Sequence, residues 1–357
     1  MSRRHARKAK VPFGVLVVAL VLAVGVAAFA ATRNDHDRGG ASTGASPAAG
    51  PSPSVAPSPS SPPSPTTAAV PADPKGTLVI HGTGDVSLDP SYIPAFGSNG
   101  YGWAWTGLDG LFRKDDLTVI NLECPATDIS APVPKQFNFR CDPAALGIAR
   151  RYGVDVANQS NNHAYDQGPD GLVDSVRQIR KAGLEPVGAG VDQSAALRAA
   201  LFDVKGWTIA VVGIDEVLDP LNEVAGPDKP GTAAGHDFSL ALQAVRQAKA
   251  RADLVVVMIH WGVELDTQPR DYQVQEAHQM IAAGADIIFG GHSHRLQPME
   301  SYHGRPIFYS LGNFVWPLFS AEGSATAVAE VVVQPDGSMK GRLLPATIVS
   351  DGHPVLR

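Results

Sequence analysis

Side chains that can bind a divalent metal ion stand at or just after the ends of short apolar runs in this sequence of 357 residues. They are carboxylates, amides and imidazoles, namely Asp85, Asn121, Glu123, Asn161, Asn162, His163, Asp166, His260, His292 and His294. Taken singly, most have an ordinary explanation, since Asp85 after two glycines suits a helix N-cap or a turn. Taken together, their recurrence after successive apolar runs predicts one shared site with metal-dependent chemistry.

The pair His292 and His294 carries the strongest single signal. Two imidazoles at positions i and i+2 of an extended segment project to the same side of the chain. Gly290-Gly291 introduces the pair, and a shared metal ion explains the spacing, because imidazole is a common metal ligand. We therefore expect an extended segment here, with both rings facing one site.

Short apolar runs that alternate with helical stretches predict an α/β fold for the body of the chain. Strands are expected at 78–81, 117–122, 154–157, 208–214, 254–260 and 287–290, and helices at 144–152, 170–182, 240–251 and 271–283. This alternation is typical of βαβ units around a largely parallel, buried sheet. The carboxyl ends of such strands line the ligand crevice, and that is where the metal-capable residues fall.

The pattern changes after Gly291 to short strands separated by turn residues. Hairpin strands are expected at 297–302, 306–310, 326–333 and about 340–349. His303-Gly304 and Pro335-Asp336-Gly337 supply the turns. No linker-like stretch separates the two parts, so a single fold with mixed sheets flanked by helices is expected.

Six motifs, taken in order, resemble those of the CapA-type poly-gamma-glutamate capsule-synthesis proteins over about residues 77–316. They are Gly84-Asp85-Val86, Asn121-Leu122-Glu123, Asn161-Asn162-His163-Ala164-Tyr165-Asp166, His260-Trp261-Gly262, Gly291-His292-Ser293-His294 and Tyr309-Ser310-Leu311-Gly312-Asn313-Phe314. Lys135 and Phe137-Asn138-Phe139 also match the segment between the second and third motifs. Each motif is weak alone, but six in one order form a specific set.

That family is similar in turn to the calcineurin-like metallophosphoesterases, which implies a four-layer sandwich of two mixed β-sheets flanked by helices. The resemblance also implies a two-metal site whose ligands are Asp85, Glu123, Asn162, His260, His292 and His294, with Glu123 as the bridge. It makes His163 the general acid or electrostatic stabiliser, and Asp166 the residue that orients it. This mixed set of oxygen and nitrogen ligands suits Mn, Fe, Zn or Mg. Two such ions would activate water and clamp the attacked and leaving oxygens.

The first motif departs from the broader superfamily, which has Asp-x-His where this sequence has Asp85-Val86-Ser87. His81 lies four residues before Asp85, and its position alone does not make it a replacement. The departure leaves open whether the site holds two ions or one. Two functions also stay open: a metal-dependent hydrolase or transferase acting on a phosphate ester, an amide or a cell-surface polymer, and a non-catalytic polymer-binding accessory of a capsule synthesis and export complex.

The N-terminal part is expected to direct the protein to the membrane and to separate the domain from it. Five basic residues within 1–10 precede an apolar run at 11–31, close to the ~20 residues with which a helix crosses a bilayer. Residues 1–33 are therefore expected to be a signal anchor of a single-pass cell-membrane protein, with the domain outside the cytoplasm. Ala28-Phe29-Ala30 leaves a cleaved signal peptide and a secreted protein as the alternative. Residues 34–76, rich in Pro and Ser, are expected to be a disordered linker before a domain at 77–357.

Charge is distributed unevenly along the chain. The whole sequence has 29 Lys and Arg against 35 Asp and Glu, whereas residues 75–357 have 22 against 32, a net charge of −10. Such an acidic body argues against non-specific nucleic-acid binding. The expected partners are an anionic polymer or phosphoester substrate and membrane subunits of capsule synthesis. The attraction of an anion must then come from the metal ions and from local cations such as Lys135 and Arg140.

Two further features leave alternatives open. Cys124 and Cys141 are 17 residues apart, and an exported domain favours a disulfide between them, with two free buried thiols as the alternative. Tyr101, Trp103 and Trp105 suit either a stacking face for sugar or polymer, or ordinary core packing.

Overall fold

Two mixed β-sheets lie face to face at the centre of the fold. The computed structural model describes residues 74–217, 223–233 and 237–357. The expected signal anchor at 1–33 and nearly all of the expected linker lie outside the described residues. Among the helices of the described part, none has the length and apolarity to span a bilayer.

Sixteen strands and eight α-helices are present in the described residues. The strands are β1 (Leu78–Val86), β2 (Leu117–Leu122), β3 (Val156–Asn158), β4 (Glu185–Val187), β5 (Ala189–Gly190), β6 (Ala200–Val204), β7 (Trp207–Asp215), β8 (Gly231–Thr232), β9 (Leu254–His260), β10 (Ile287–Gly291), β11 (Met299–Tyr302), β12 (Arg305–Phe308), β13 (Asn313–Val315), β14 (Ala325–Val333), β15 (Met339–Ser350) and β16 (His353–Leu356). The helices are α1 (Ala95–Asn99), α2 (Trp103–Thr106), α3 (Pro143–Arg151), α4 (Gly168–Lys181), α5 (Gln193–Ala196), α6 (Phe238–Lys249), α7 (Asp271–Ala283) and α8 (Ala321–Ser324).

The first sheet has the strand order β16-β15-β14-β1-β2-β3-β4, and β13 also pairs with β1. Strands β1 to β4 are parallel, whereas β14, β15 and β16 are antiparallel neighbours that extend the sheet from β1. In the parallel part, Asp85 lies opposite Asn121, and Asn121 lies opposite Asn158. This register places the polar ends of three strands in one line.

The second sheet has the strand order β11-β12-β10-β9-β7-β6. Its four inner strands are parallel, and the edge strands β6 and β11 run antiparallel to their neighbours. Asp215, His260 and Gly291 lie opposite one another in this register. The carboxyl ends of the central strands are therefore aligned, and His292 follows directly.

Apolar side chains fill the interface between the sheets and both outer faces. Ile80 and Val119 of the first sheet join Val256 and Phe289 of the second in one cluster, and all four are fully buried. Each such side chain stabilises the fold by about 1.5–3 kcal/mol relative to exposure. Residues of α3 and α4 cover the outer face of the first sheet, and α6 and α7 cover that of the second. The expectation of a four-layer α/β sandwich is confirmed.

Local sequence explains the ends of the long helices. Asp142 precedes α3 and accepts a hydrogen bond from the backbone N–H of Ala144 at 2.8 Å, while Pro143 occupies the first helical turn. Helix α7 has the predicted bounds and ends at Gly284, whose φ is 119°. Strands β4, β5, β6, β8, β13 and β16 were not expected, and all of them except β6 have four residues or fewer.

A disulfide joins Cys124, after β2, to Cys141, before α3. The Cα atoms are 5.7 Å apart, and both cysteines are fully buried. The predicted bond is confirmed, and it ties the loop that carries Glu123 to the segment before α3.

The aromatic group near residue 103 belongs to the core. Trp105 is buried, and Trp103 stacks on His353 with ring centroids 3.6 Å apart. Tyr101 packs against the same cluster. Core packing is thus the correct one of the two alternatives.

Candidate metal centre

Polar residues from both sheets meet where the carboxyl ends of their strands come together. Asp85 lies near the end of β1, Glu123 follows β2, His260 ends β9, and His292 and His294 follow β10. The first three side chains are fully buried, and that of His292 is buried as well. The structure brings these five sequence-predicted residues to one site.

Two groups of three side chains have the spacing of a metal-binding cluster. Glu123, His260 and His292 each offer a ligand atom within 4.8 Å of the others, and Asp85, Glu123 and His294 do the same. Ligands of one ion at bond lengths of about 2.0–2.3 Å lie about 3–4.5 Å apart, so each group approaches the size that one ion needs. Glu123 belongs to both groups, which is the position expected of a bridging carboxylate.

Asn162 lies beside the first of these groups. Its Oδ1 is 2.9 Å from His260 Nε2, and Oε1 of Glu123 is 3.5 Å from the same nitrogen. An amide oxygen, a carboxylate oxygen and an imidazole nitrogen therefore converge. This places Asn162 where the sequence predicted a ligand.

Polar atoms without hydrogen bonds mark the same position. Both carboxylate oxygens of Glu123 and Nδ1 of His292 are buried and make no hydrogen bond within the described part of the chain. Leaving a buried polar group unsatisfied costs about 1–3 kcal/mol, and more for a charged group. A divalent cation would satisfy these atoms, so the residues present fit a metal centre.

Burial controls the ionisation of the first group. It raises the pKa of Glu123 well above the usual value, with the charge of Asp85 as a second cause. Burial also lowers the pKa of His260 well below the usual value, with His292 as a second cause, and lowers that of His292 to about 4, with His294 as a second cause. Both imidazoles are therefore neutral at physiological pH, which is the form that binds metals. A cation beside Glu123 would favour its ionised form.

Asp85 and His294 form the core of the second group. His294 Nδ1 lies 3.2 Å from Asp85 Oδ2 and 2.9 Å from Asn313 Oδ1. Burial opposes ionisation of Asp85, but the hydrogen bond and the charge of His294 outweigh it, and the pKa falls to about 2. Asp85 is therefore a carboxylate at neutral pH, as a metal ligand must be.

His163 follows Asn162 and is held by a buried network. Its Nδ1 lies 2.8 Å from Asp166 Oδ2, and the same oxygen accepts a hydrogen bond from the backbone N–H of Phe139 at 2.7 Å. Lys135 Nζ lies 2.8 Å from Asp166 Oδ1 and also donates to the carbonyl of Asn162. The network turns Nδ1 of His163 toward Asp166 and leaves Nε2 available for proton transfer.

The sequence pattern of a known family covers this whole arrangement. The family is described as bacterial capsule synthesis protein PGA_cap, and its pattern matches residues 79–317. The chain belongs to this family. All the site residues described above lie within the matched PGA_cap region.

Three relatives carry capsule or polymer names. This PGA_cap chain is 34% identical over 244 residues to the PGA biosynthesis protein CapA of Bacillus subtilis (strain 168). The aligned region covers 68% of this chain and 64% of that protein. It is 34% identical over 223 residues to the capsule biosynthesis protein CapA of Bacillus anthracis, covering 62% and 54%. It is 33% identical over 227 residues to a probable polyglutamine synthesis accessory protein of Mycobacterium tuberculosis (strain H37Rv), covering 60% of each. The matched region thus spans between about half and two thirds of the length of these relatives.

Two solved structures show a more distant likeness to the PGA_cap chain. A novel phosphatase from Mycoplasma pneumoniae is 16% identical with a TM-score of 0.48, covering 76% of this chain and 94% of that one. The NAD nucleotidase of Haemophilus influenzae is 17% identical with a TM-score of 0.49, covering 76% and 56%. At these values the likeness adds nothing to the layer order described above.

Asn121 has a larger role than the sequence predicted. Its Nδ2 donates to Asp85 Oδ1 at 2.8 Å and lies 3.1 Å from His260 Nδ1. Asn121 therefore contacts one residue of each of the two groups of candidate ligands. Its Oδ1 accepts hydrogen bonds from Asn158 at 2.9 Å and Asn161 at 3.1 Å. The signal was present in the second motif, but spacing alone does not distinguish a ligand from the residue that orients it.

The segment of His292 and His294 is not extended, and that expectation is wrong. Their φ angles are 87° and 53°, both in the left-handed region. The two rings converge on the site from left-handed residues on either side of Ser293, and their centroids are 6.0 Å apart. Non-glycine residues in this region are strained, and such strain is common at functional sites.

The departure in the first motif has a clear structural outcome. Ser87 is buried, and its hydroxyl accepts a hydrogen bond from the N–H of Asp89 rather than joining a ligand group. His81 instead contacts Asp115 at 2.6 Å and Glu330 at 3.4 Å, within a separate buried network. Neither Ser87 nor His81 belongs to the two groups of candidate ligands. Each group has three members without them.

Proposed function

We propose that this protein is a metal-dependent hydrolase or transferase of capsule polymer synthesis, acting on a phosphate ester or an amide bond. The observation that carries the proposal is Glu123, which belongs to both ligand groups and whose two buried oxygens have no hydrogen bond in the described part of the chain. The relatives named for capsule or poly-glutamate synthesis support the polymer setting.

The predicted ligands divide between two positions that share Glu123. The residues that would hold divalent ions such as Mn, Fe, Zn or Mg are Asp85, Glu123, Asn162, His260, His292 and His294. When bound, such ions polarise the group under attack and lower the pKa of water. Asn121 keeps Asp85 and His260 in place by its hydrogen bonds.

His163 supplies the proton chemistry in this proposal. Its Nδ1–H donates to Asp166, so Nε2 can transfer a proton to the leaving oxygen or nitrogen, or stabilise negative charge there. His163 lines the cleft above the ligand groups, together with His294. Asp166 holds the ring in this orientation.

The same proposal places the domain outside the cytoplasm, anchored through residues 11–31 or released after signal cleavage. The bond between Cys124 and Cys141 supports this placement, because disulfides persist in oxidising compartments. The membrane partners would then be other subunits of capsule synthesis and export.

Ser87 favours a second candidate function, that of a polymer-binding accessory without catalysis. It occupies the place where the superfamily motif implies a histidine ligand, and it faces a backbone N–H instead. In that case the same groups would bind an anionic polymer without cleaving it.

Metal analysis and turnover distinguish the two candidates. We expect the full chain to retain one to two divalent ions and to hydrolyse bis-p-nitrophenyl phosphate or a glutamyl anilide. His163→Ala should keep the metal and lower turnover by about 10²–10⁴-fold. The matched control is His278→Ala, because His278 lies on α7 and pairs with Glu300. It should change neither the metal content nor the turnover. Metal content near zero in the wild type refutes the metal centre, and retained metal with polymer binding but no turnover supports the accessory.

A further inference from the structure

A cleft of about 320 Å³ lies over the metal centre. His163, His294 and Asn313 line it on the side of the ligand groups. Ligand sites are commonly clefts of about 300–1,000 Å³ with apolar walls and a few convergent polar groups. The volume suits one ring-sized unit beside the reacting group.

One wall of the cleft is built from aromatic rings. The ring of Tyr92 lies 4.5 Å from that of Phe139, 5.4 Å from Trp316 and 6.1 Å from Phe319, measured between centroids. The same wall touches the centre, because Phe139 lies 4.3 Å from the ring of His163. Aromatic surface and reacting groups are therefore continuous.

Large apolar side chains remain exposed around the opening. Phe319 is 69% exposed, Leu265 61% and Phe137 54%, and each comes from a different loop. A single exposed apolar residue is ordinary, but three that surround one cleft mark a binding surface. A flat apolar ligand would remove these three side chains from contact with water.

Arg295 and Glu264 place opposite charges in the lining of the cleft. Arg295 donates from Nη1 to the carbonyl of His294 at 2.8 Å and forms no ion pair with a carboxylate of the described residues. The exposed carboxylate of Glu264 also lines the cleft. An anionic group would therefore be favoured beside Arg295 and bound metal ions, whereas Glu264, whose charge also acts on Glu123 and His294, favours a neutral group beside it.

We propose that this cleft is a subsite for a ring-bearing phosphoester, in which the phosphate lies at the metal centre beside Arg295 and the ring stacks on the aromatic wall. Nucleotides and sugar phosphates both have this chemistry. The proposal rests on the proposed function and adds the substrate class. Stacking on exposed aromatic rings gains roughly tenfold in affinity per ring.

Two phosphonates that cannot be hydrolysed test the subsite without turnover. Binding of phenylphosphonate and methylphosphonate to the manganese-loaded full chain is measured by calorimetry. We expect phenylphosphonate to bind about tenfold more tightly, and Phe319→Ala to reduce that ratio toward one. Arg295→Gln should weaken both probes by similar factors.

Matched variants separate the cleft from general surface effects. Leu265→Ala should reduce the ratio, whereas Leu201→Ala, on β6 and 39% exposed, should leave it unchanged. Equal binding of the two phosphonates by the wild type overturns the subsite and leaves the proposed function standing. Binding of neither probe to the metal-loaded chain overturns phosphate recognition itself.

Competition identifies the source of the ring. Adenosine monophosphate and glucose 1-phosphate are each used to displace phenylphosphonate from the wild type. Displacement by the first alone assigns the subsite to nucleotides, and displacement by the second alone assigns it to sugar phosphates. If neither displaces the probe, the cleft accepts neither of the two ring classes and the proposal fails.

Discussion

Replacement of Glu123 tests both ligand groups at once, because this carboxylate is common to them. We expect Glu123→Gln to lower metal affinity at least tenfold and to abolish the rise in melting temperature that manganese produces. The metal-free variant should be at least as stable as the metal-free wild type, since burial beside Asp85 disfavours ionisation of Glu123 and an amide has no proton to lose. Elemental analysis and thermal unfolding with and without manganese measure both effects.

A matched control for this experiment is Glu185→Gln, because Glu185 is exposed on β4. It should change neither metal content nor melting temperature. Full metal binding by Glu123→Gln would contradict the bridging position.

Lys135 provides a second test at single-residue scale. Its side chain is 7% exposed, and its ammonium group contacts both Asp166 and the carbonyl of Asn162. Lys135→Met leaves the Asp166 carboxylate buried without this cation, so we expect a loss of about 3 kcal/mol in the free energy of unfolding. Urea denaturation measures it. Lys205→Met, which breaks the more exposed pair with Asp116, should cost less than about 1 kcal/mol, and equal losses would refute the special role of Lys135.

Some residues of the candidate site could be predicted from the sequence, and others could not. The ligands Asp85 and His260 could be predicted because carboxylates and imidazoles at strand ends have a recognisable chemistry. Asn121 donates a hydrogen bond to Asp85, and Asn313 contacts His294, so each acts on a candidate ligand that is distant in sequence. Amides that orient ligands have no pattern of their own, so the structure was needed to find them.

At the level of elements, the end of β1 depends on a close approach between two backbone segments. A Cβ atom at Gly84 would lie 1.8 Å from the carbonyl oxygen of Gly312, and the neighbouring N–H of Asp85 donates to that oxygen at 2.9 Å. We expect Gly84→Ala to lower the free energy of unfolding by about 3 kcal/mol and to weaken metal binding, because Asp85 must move. Urea denaturation and metal titration measure the two effects.

Gly97 offers the matched control for this change. A Cβ atom there meets nothing within 4 Å, and the residue lies in α1. Gly97→Ala should be neutral or stabilise by up to about 1 kcal/mol. Normal metal binding by Gly84→Ala would show that the approach of β1 and β13 does not position Asp85.

The contact between α7 and the end of β7 predicts a pH dependence. Burial raises the pKa of Glu276 to about 7, and burial with the charges of Glu276 and Asp215 raises that of Glu216 to about 8. Both folded pKa values exceed the ordinary value of 4.5, because burial favours the neutral carboxyl groups. Their contribution to folding stability is therefore fully present below about pH 4.5 and is lost as the pH rises through about 7–8.

Glu276→Gln isolates this contribution. We expect it to match the wild type near pH 5 and to be more stable by about 1 kcal/mol near pH 8, after allowance for solvent screening. Urea denaturation at the two pH values gives the comparison. The same difference at both values would mean that Glu276 does not titrate in this range.

Elements with strong local patterns were predictable, and elements made by long-range pairing were not. The bounds of α7 follow from its own sequence, including Gly284 after its last turn. Strand β1 continues through Gly82-Thr83-Gly84, which reads as a turn, because β2 and β13 pair with it there. Strand partners of this kind lie outside any local window of sequence.

At the level of the whole molecule, the disulfide connects stability to compartment. Cys124 and Cys141 close a loop of 17 residues, and loss of such a bond costs about 3 kcal/mol in the chain-entropy account. We expect the double variant Cys124→Ala and Cys141→Ala to be less stable by about this amount in urea. Thiol titration of the denatured wild type should find no free cysteine, and two titratable thiols would contradict the bond.

The layer order was predictable only through the resemblance to a known family. Alternating runs predicted a parallel sheet, but they did not show that fourteen of the described strands divide between two sheets of eight and six, while β5 and β8 pair separately. That division depends on which apolar faces meet, as Ile80 and Phe289 do across the interface. Periodicity shows that a face is apolar, but it does not identify the face that covers it.

The position of β14 beside β1 has a consequence for the order of events during synthesis. All the candidate ligands, from Asp85 to His294, emerge before residue 325, yet β1 keeps one edge open until Ala325–Val333 arrive to pair with it. Pairing at such a distance along the chain is slow to form. We expect capture of a divalent ion to follow this late pairing, so that the compartment in which the finished chain folds determines which metal it meets.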